Sequence, residues 1–281
     1  ISSSDGNNYN DNNDDYNDNN DYRNANYLMS ETEIITSIVP IGIEPVYDLT
    51  EPLTHSFIAN GFRIHNCSEA LLEHKEFCNL GSINLMNHIC YDNNGRPTID
   101  WEKLRRTTKT MVILLNRVID KNYYPDSEYQ RQVQKNRKIG LGIMGFADLL
   151  LYHYKIKYSS NEARDLARRI MRFVHEQAKR YSDRYNFDNQ SLTSVAPTGS
   201  ISTICKVSSG IEPNFGRKFI RTTFEGLKFN LGIDLDGDWV ETAHDISPMN
   251  HLLMVASIAD YVDMGISKTI NFAHDVTEKD I

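Results

Sequence analysis

The sequence lacks the features that mark several common classes of protein. No apolar run approaches the roughly 18 residues that a membrane helix needs, and the polar N-terminus has no signal-peptide core. No part carries the basic stripe of a protein that tracks nucleic acid. The chain starts at Ile1 rather than Met. We therefore expect a fragment of a longer cytoplasmic product, with no membrane or nucleic-acid partner.

Cysteine is also scarce. Four Cys in 281 residues do not make a disulfide scaffold, and no Cys-x-x-Cys pair supports a zinc ribbon. We expect a cytosolic enzyme that employs a few thiols chemically and has no metal site. The four thiols are Cys67, Cys78, Cys90 and Cys205.

Aliphatic residues are nearly absent from the first 28 positions, which repeat Asn, Asp and Tyr. Six Asp against one Arg give this stretch a balance of −5, out of −8 for the whole chain. Such a segment buries too little apolar surface to offset the entropy lost on ordering. We predict a disordered linker over residues 1–31.

Residues 32–66 consist of short β-rich runs separated by Pro, Gly and Asn. Asn60-Gly61, between two apolar runs, is a strong signal for a β-hairpin. We predict a small all-β unit.

From residue 101 the apolar period becomes helical. One helix is predicted from Trp101 to Ile119, and a second from Ser159, with Glu162 in capping-box position. A third is predicted from Ser247-Pro248 to near Gly265. Helices that alternate with short strands predict an α/β architecture. The predicted strands are the apolar runs at 194–196, 201–204 and 267–272.

Residues 140–145 fit the dinucleotide-binding pattern G-x-G-x-x-G. That pattern needs a buried strand before it, and the preceding residues 132–137 are polar and basic. We therefore do not predict nicotinamide binding.

Residues 46–67 resemble the C-terminal motifs of an intein. The resemblance rests on Val46-Tyr47-Asp48-Leu49-Thr50, on residues 54–61, and on the junction Ile64-His65-Asn66-Cys67. It implies that the Asn66 side chain attacks its own carbonyl, while His65 polarises that carbonyl or protonates the leaving amine. His55 would be a second proton donor or acceptor and Asp48 its electrostatic partner. Cys67 would receive the upstream acyl group by thioester exchange.

Residues 67–281 resemble the large subunit of ribonucleotide reductases almost without a break. The matching segments are Cys67-Ser68-Glu69, residues 78–85, 136–148, 196–202, 210–213 and 266–271. In that family a radical at C3′ of the ribose labilises the 2′-hydroxyl. The resemblance implies that Cys67 is the thiyl and that Glu69 takes the 3′-hydroxyl proton as general base. Cys78 would be one of two thiols that close to a disulfide, its partner lying in the missing N-terminal half.

Four further residues lie in a Pro/Gly turn beside an apolar run: Thr198, Gly199, Ser200 and Ser202. Within the family pattern, a role in holding the substrate phosphate is favoured over a plain helix cap. Cys90 and Cys205 are interpreted as packing residues.

The resemblance also implies a cofactor and partners. The eleven-residue spacing from Cys67 to Cys78 looks most like the adenosylcobalamin-dependent class, reduced by a dithiol such as thioredoxin. Enzymes with a separate metal-containing radical subunit share much of this pattern and remain an alternative. The ribonucleotide is the substrate, and nucleotide effectors would bind outside this chain. Missing N-terminal intein and reductase segments would complete the protein, and homo-oligomerisation is left open.

The expected fold class is α/β, with residues 67–281 forming the second half of a ten-stranded barrel. Before it we expect the linker at 1–31 and a small all-β, Hint-type intein segment at 32–66. A different hypothesis keeps only the self-processing element, attached to a passenger without reductase function. Intact Cys67, Glu69 and Cys78 argue against that decay.

Overall fold

The computed structural model describes residues 56–59, 62–65, 70, 72–77, 79–222 and 228–272. For residues 56–59, 62–65, 221–222 and 229–231 only the backbone is described. All of these residues fall in one compact unit, Thr50–Ile281. The predicted linker over 1–31 lies outside the described residues, as does most of the predicted intein segment.

A short antiparallel hairpin opens the described part. Strand β1 (Ser56–Ala59) pairs with strand β2 (Phe62–His65), and the register sets Ala59 opposite Phe62. Only Asn60 and Gly61 connect the two strands, which is the two-residue connection that Asn-Gly favours. The predicted hairpin is confirmed.

Four parallel segments form the central sheet, in chain order. Strand β3 (Asn79–Asn84) pairs in parallel with strand β6 (Ile139–Met144), which is buried along its whole length. Single parallel bridges then join Leu141 to Thr193 and Val195 to Ile266. All four segments therefore run in the same direction, and their carboxyl ends lie at one edge of the sheet.

The glycines of β6 serve close packing rather than a nucleotide-binding turn. A Cβ at Gly142 would lie 2.2 Å from the carbonyl oxygen of Ser194 on the neighbouring segment. A Cβ at Gly140 would lie 2.4 Å from the Leu80 side chain. Residues 132–136 belong to a helix and not to a strand, so the pattern lacks the context that dinucleotide binding requires.

Helical crossovers connect the parallel segments. The first contains strands β4 (Ile89–Tyr91) and β5 (Pro97–Ile99) and helices α1 (Trp101–Lys121) and α2 (Ser127–Asn136), after a 3-10 turn at Leu85–Asn87. The second contains α3 (Phe146–Asp148), a π-helical stretch at Leu149–Tyr154, and α4 (Asn161–Arg184). The third contains α5 (Gly199–Cys205), the antiparallel strands β7 (Lys218–Thr222) and β8 (Lys228–Gly232), α6 (Pro248–Ile258), and a 3-10 turn at Ala259–Tyr261.

Helix α1 agrees with its prediction. The Asp100 carboxylate accepts a hydrogen bond from the Lys103 amide at 2.9 Å, which caps the first turn. Its apolar face is buried against β3 and α4. The buried side chains of α1 include Leu104, Val112, Leu115 and Ile119.

Two predicted helix boundaries were wrong. Ser160, and not Ser159, caps α4, because the Ser159 hydroxyl and amide both bind the Glu241 carboxylate, at 2.7 and 2.9 Å. Helix α6 ends at Ile258 instead of near Gly265. Beyond it the backbone pairs with the third parallel segment, because the Met264 amide donates to the Thr193 carbonyl and the Gly265 carbonyl accepts from Val195.

The predicted strand at 201–204 is also wrong, because these residues lie in helix α5. Ser202 and Thr203 face the interior, whereas Ile201 and Ile204 are 46% and 73% exposed. The Thr203 hydroxyl donates to the Gly199 carbonyl one turn earlier, a bond that suits a helix. The apolar residues here therefore lie on the exposed side of the element.

The mixed α/β class is confirmed, and the four parallel segments do not close into a barrel within the described residues. Among the helices described, none has both the length and the apolarity to cross a bilayer.

Candidate active site

Most of the predicted chemical residues lie outside the described part of the chain. These are Cys67, Glu69 and Cys78 of the reductase set, with Asp48, His55 and Asn66 of the splicing set. His65 is the last residue of β2, paired in register with Ser56. The described site is therefore built mainly at the carboxyl ends of the parallel segments, where the predicted phosphate turn lies.

The predicted phosphate turn follows the third parallel segment directly. Thr198 is buried and has a left-handed backbone, with φ of 53°, immediately before helix α5. Its hydroxyl oxygen accepts a hydrogen bond from the Gly210 amide at 2.8 Å. Ser200 in the first turn of α5 is exposed. The first amides of a helix have no partner within the helix, so this turn offers donors at the open edge of the sheet.

Ser202 differs from the other three predicted phosphate residues in lying one turn into α5 rather than at its start. Its side chain is buried, and its hydroxyl lies 2.9 Å from that of Ser209. This pair ties α5 to the loop that follows it. Thr198, Gly199 and Ser200 are brought together at the edge, while Ser202 supports them from inside.

Asp148, four residues after the end of β6, binds Ser208 in the loop that follows α5, residues 208–213. Its carboxylate accepts from the Ser208 amide at 2.6 Å, and its own amide donates to the Ser208 hydroxyl at 3.2 Å. Burial raises the pKa of the Asp148 carboxyl, although the Ser208 amide opposes that shift. Gly145, with φ of 80°, makes the preceding turn, and its amide donates to the Ser208 carbonyl. Two neighbouring carboxyl ends of the sheet are thereby fixed to each other.

Sequence reasoning assigned no role to three further residues at this edge. They form a hydrogen-bonded cluster of Lys268, Glu212 and His251. Glu212 belongs to the 208–213 loop, whose Gly210 amide binds the Thr198 hydroxyl. Glu212 and Lys268 both lie in segments that carried the family resemblance, which was the available signal. Nothing in the local sequence indicated that they meet.

The residues on either side of Cys78 are firmly held at the amino ends of the segments. The ring of Phe77 stacks on Tyr129 at 5.1 Å between centroids. The Asn79 side-chain amide donates to the Leu115 carbonyl at 2.8 Å. Two residues before Cys78, the buried Glu76 carboxylate lies 2.7 Å from the Lys138 ammonium.

The interpretation of Cys205 as a packing residue was wrong. Cys205 is an exposed free thiol at the end of α5, because Ser202 and Thr203 form the buried face of this helix. Cys90 is half-buried in β4. Within the described ranges, no group of three or more His, Cys, Asp or Glu residues is arranged to hold a metal ion.

Comparison with known proteins identifies the family. The sequence matches the ribonucleotide reductase barrel domain over residues 4–186 and 182–235. A vitamin B12-dependent ribonucleoside-diphosphate reductase of Thermoplasma acidophilum is 34% identical over 268 residues, which cover 76% of this chain and 34% of that protein. The enzyme of the same description from Mycobacterium tuberculosis is 33% identical over 267 residues, covering 76% and 37%.

A ribonucleoside-diphosphate reductase subunit alpha of Chlamydia pneumoniae is also similar, at 28% identity over 221 residues, which cover 57% of this chain and 21% of that protein. The chain spans about a third of the length of the two vitamin B12-dependent relatives. Because the family match extends over well more than half of the sequence, this chain belongs to the ribonucleotide reductase barrel-domain family.

Proposed function

We propose that this chain carries the second half of the catalytic barrel of a ribonucleotide reductase, which converts ribonucleotides to deoxyribonucleotides in the cytoplasm. The observation that carries the proposal is the Thr198 turn at the carboxyl ends of four parallel segments, in a member of this family. Ligands of parallel α/β sheets bind at that edge. The named relatives act on ribonucleoside diphosphates, and we extend that substrate class to this chain.

In this proposal Cys67 abstracts the C3′ hydrogen as a thiyl radical, and Glu69 accepts the 3′-hydroxyl proton. The 2′-hydroxyl then takes a proton from one of the two reducing thiols and leaves as water, and Cys67 returns the hydrogen atom to C3′ at the end of the cycle. Cys78 and a second thiol outside this chain supply two electrons and close to a disulfide. A dithiol such as thioredoxin reduces that disulfide for the next turnover. Thr198, Gly199 and Ser200 hold the substrate phosphate, with Ser202 as internal support.

Adenosylcobalamin is the proposed radical source, since the relatives named above are vitamin B12-dependent. It supplies a carbon-centred radical when bound. The buried histidines of the described residues do not fit as cobalt ligands, because their rings are already engaged. His88 meets the Asn84 carbonyl and the Thr107 hydroxyl, both at 2.8 Å, and His251 meets Lys268 at 2.8 Å. Nucleotide effectors would bind outside this chain.

We further propose that the protein is formed by splicing at Asn66 and Cys67. The support is the β1–β2 hairpin, whose register sets His65 level with Ser56, the residue after His55. Asn66 would cyclise to a succinimide while Cys67 carries the acyl group of the upstream segment. The N-terminal intein and reductase segments that splicing needs would come from outside this chain.

A reductase that uses a separate metal-containing radical subunit is the second candidate. It is favoured by the similarity to the subunit alpha of Chlamydia pneumoniae. Its residue roles are the same as in the first proposal, and only the radical source differs. A self-processing element on a non-functional reductase remnant is the remaining alternative.

The test of reductase function compares Cys67→Ser and Glu69→Gln in the spliced, full-length enzyme. Deoxyribonucleotide formation is measured with adenosylcobalamin and a dithiol. We expect no turnover for Cys67→Ser, because an O–H bond is too strong to pass the radical to oxygen, and severely slowed turnover for Glu69→Gln. Wild-type turnover by the Ser variant would disprove the radical assignment. Activity only with an added metal-containing subunit would favour the second candidate.

The test of splicing chemistry uses this chain itself. We expect mass spectrometry to find a fragment that begins at Cys67 in the wild type and not in Asn66→Ala, because only Asn66 can form the succinimide. Glu69→Gln is the matched control, since it lies outside the intein motifs. Equal release from all three proteins would rule out cyclisation of Asn66.

A further inference from the structure

A buried lysine lies behind the Thr198 turn. The Lys268 ammonium donates to Glu212 Oε2 at 2.7 Å and to the Thr269 carbonyl at 2.6 Å, and it lies 2.8 Å from His251 Nδ1. Its side chain is 3% exposed. An ammonium group has three N–H donors and no acceptor. All three donors are thus engaged within the protein, and Lys268 is not arranged to bind a ligand directly.

The hydrogen bonds determine which ring nitrogen of His251 carries the proton. Since the ammonium can only donate, His251 Nδ1 accepts, and the ring proton lies on Nε2, which faces the Ala243 carbonyl at 3.3 Å. His251 is fully buried. Burial first, and then the Lys268 charge, lower the pKa of the imidazole, which keeps it neutral. The charge of Lys268 is therefore balanced by the Glu212 carboxylate, whose other oxygen accepts from the Thr269 amide.

These contacts close a ring through the phosphate turn. The Glu212 amide donates to the Ser209 carbonyl at 2.7 Å. The amide of Gly210, the residue after Ser209, donates to the Thr198 hydroxyl at 2.8 Å. On the other side, the Ser267 amide donates to the Val195 carbonyl at 2.8 Å, three residues before Thr198. Lys268 follows Ser267 and binds Glu212, so the ring returns to its start. Movement of the Lys268–Glu212 pair would move Gly210 and hence the Thr198 side chain.

The ring also determines what the Thr198 hydroxyl can offer. Its oxygen accepts from Gly210, and its hydrogen meets no acceptor among the described residues, so an external acceptor can take it. A phosphate oxygen is such an acceptor. Gly210 has φ of 47°, and a Cβ there would lie 2.9 Å from the Ala196 carbonyl, so this approach of loop and turn depends on glycine.

We propose that Lys268 and Glu212 are positioning residues for the diphosphate of the ribonucleotide: as a charge-balanced pair they hold the 208–213 loop so that the Thr198 hydroxyl faces the phosphate. The proposal rests on the proposed function of the Thr198 turn. It assigns the pair two effects, which are geometry and charge. Removal of Lys268 loosens the loop and also leaves the Glu212 carboxylate, 22% exposed, as an unbalanced negative charge at the edge where an anion binds.

The two effects are separated by three variants of the full-length reductase, with ADP as substrate. Lys268→Met removes the positive charge together with the three hydrogen bonds of the ammonium, Glu212→Gln removes the negative charge while it keeps a side-chain oxygen, and the double variant removes both charges. We expect KM for ADP to rise about tenfold for Lys268→Met, within the roughly 100-fold that a misplacement of about 1 Å costs. The rise should be smaller for the double variant and smallest for Glu212→Gln, while kcat changes less than KM in each. Equal KM values in all three variants and the wild type would overturn the proposal.

Three further variants keep this test interpretable. Lys179→Met, at an exposed position of α4, is the matched control and should leave KM and kcat unchanged. Thr198→Val tests the turn itself. If it leaves KM unchanged, the proposed phosphate site is wrong; if it raises KM while Lys268→Met does not, only the positioning role is wrong. Should Lys268→Met fail to fold in a thermal unfolding scan, Lys268→Arg decides: a raised KM supports positioning, and an unchanged KM overturns it.

Discussion

At the amino ends of the parallel segments, charged side chains bind the protein to itself. Lys138, directly before β6, pairs with the buried Glu76 at 2.7 Å. The Asp263 carboxylate accepts from the amides of Leu192 and Thr193, at 2.8 and 3.1 Å. At this end, polar groups of neighbouring segments are matched to each other, which is the arrangement expected of a stabilising edge.

The carboxyl ends of the same segments also carry positive-φ residues, as the amino end of β6 does at Arg137, but here they lie beside an exposed hydroxyl. Gly145, Thr198 and Gly210 all have positive φ, and Ser200 is exposed beside them. Such conformations cost free energy and persist where the surrounding contacts enforce them. In the proposed function the two ends have different roles: the amino ends hold the segments together, and the carboxyl ends would present donors to a ligand, as in other parallel α/β folds.

The largest expected effect tests whether a residue at the amino end of the segments also has a chemical role. Cys78 directly precedes β3, at the amino end, yet its proposed role is chemical. We expect Cys78→Ser to abolish multiple-turnover reduction in the full-length enzyme, because the substrate-reducing disulfide cannot form. The measurement is deoxyribonucleotide yield per enzyme over time, with Cys90→Ser as the matched control. Sustained turnover by Cys78→Ser would show that Cys78 is not one of the two reducing thiols.

The next effect tests the amino end as a stabilising edge. Lys138→Met leaves the Glu76 carboxylate, whose side chain is 2% exposed, without its cation. Removing one partner of a buried ion pair costs about 3 kcal/mol, so we expect a loss of that order in urea denaturation and little change in KM for ADP. Lys135→Met, on the exposed side of α2, should lose almost nothing. A loss as small as the control's would show that this pair does not stabilise the edge.

The smallest effect concerns pH and the carboxyl end. Burial lowers the pKa of His251 from its ordinary value of 6.5. As pH falls below that value, the unfolded chain binds a proton before the folded protein does, so stability decreases between pH 6.5 and the folded-state pKa. His251→Gln should flatten this decrease in denaturation curves taken from neutral pH to roughly pH 5.

His88 provides the comparison for that measurement. Burial lowers its pKa as well, while its hydrogen bond to the Asn84 carbonyl opposes the shift. His88→Gln should therefore also reduce the loss of stability below pH 6.5. It should not affect KM for ADP, because the hydrogen bonds of the His88 ring in the described structure go to Asn84 and Thr107 and not to the Thr198 turn. An unchanged pH dependence in His251→Gln would mean that His251 is not kept neutral by its surroundings.

Local signals in the sequence were sufficient for some elements and not for others. The hairpin at Asn60-Gly61 and helix α1 depend on short-range chemistry, and both were predicted correctly. The end of α6 was missed because backbone bonds to the third parallel segment replace helical ones. The phosphate role of the Thr198 turn was predicted through its resemblance to a family, and it stays a prediction. The Lys268–Glu212 pair was not found, because the two residues are 56 positions apart and meet only in the fold.

The order of the parallel segments has a consequence for folding kinetics. Each new segment adds beside the one before it, through contacts such as Asn79 with Ile139 and Val195 with Ile266, which are far apart in sequence. Such pairing loses the entropy of closing a long loop before the contacts contribute any stabilisation. Proteins rich in these contacts therefore fold slowly. The same order suits synthesis from the ribosome, because every segment finds its neighbour already made. We therefore expect β3 to pair early during translation and the Ile266 segment last, so that the Lys268 ring completes only when the sheet is whole.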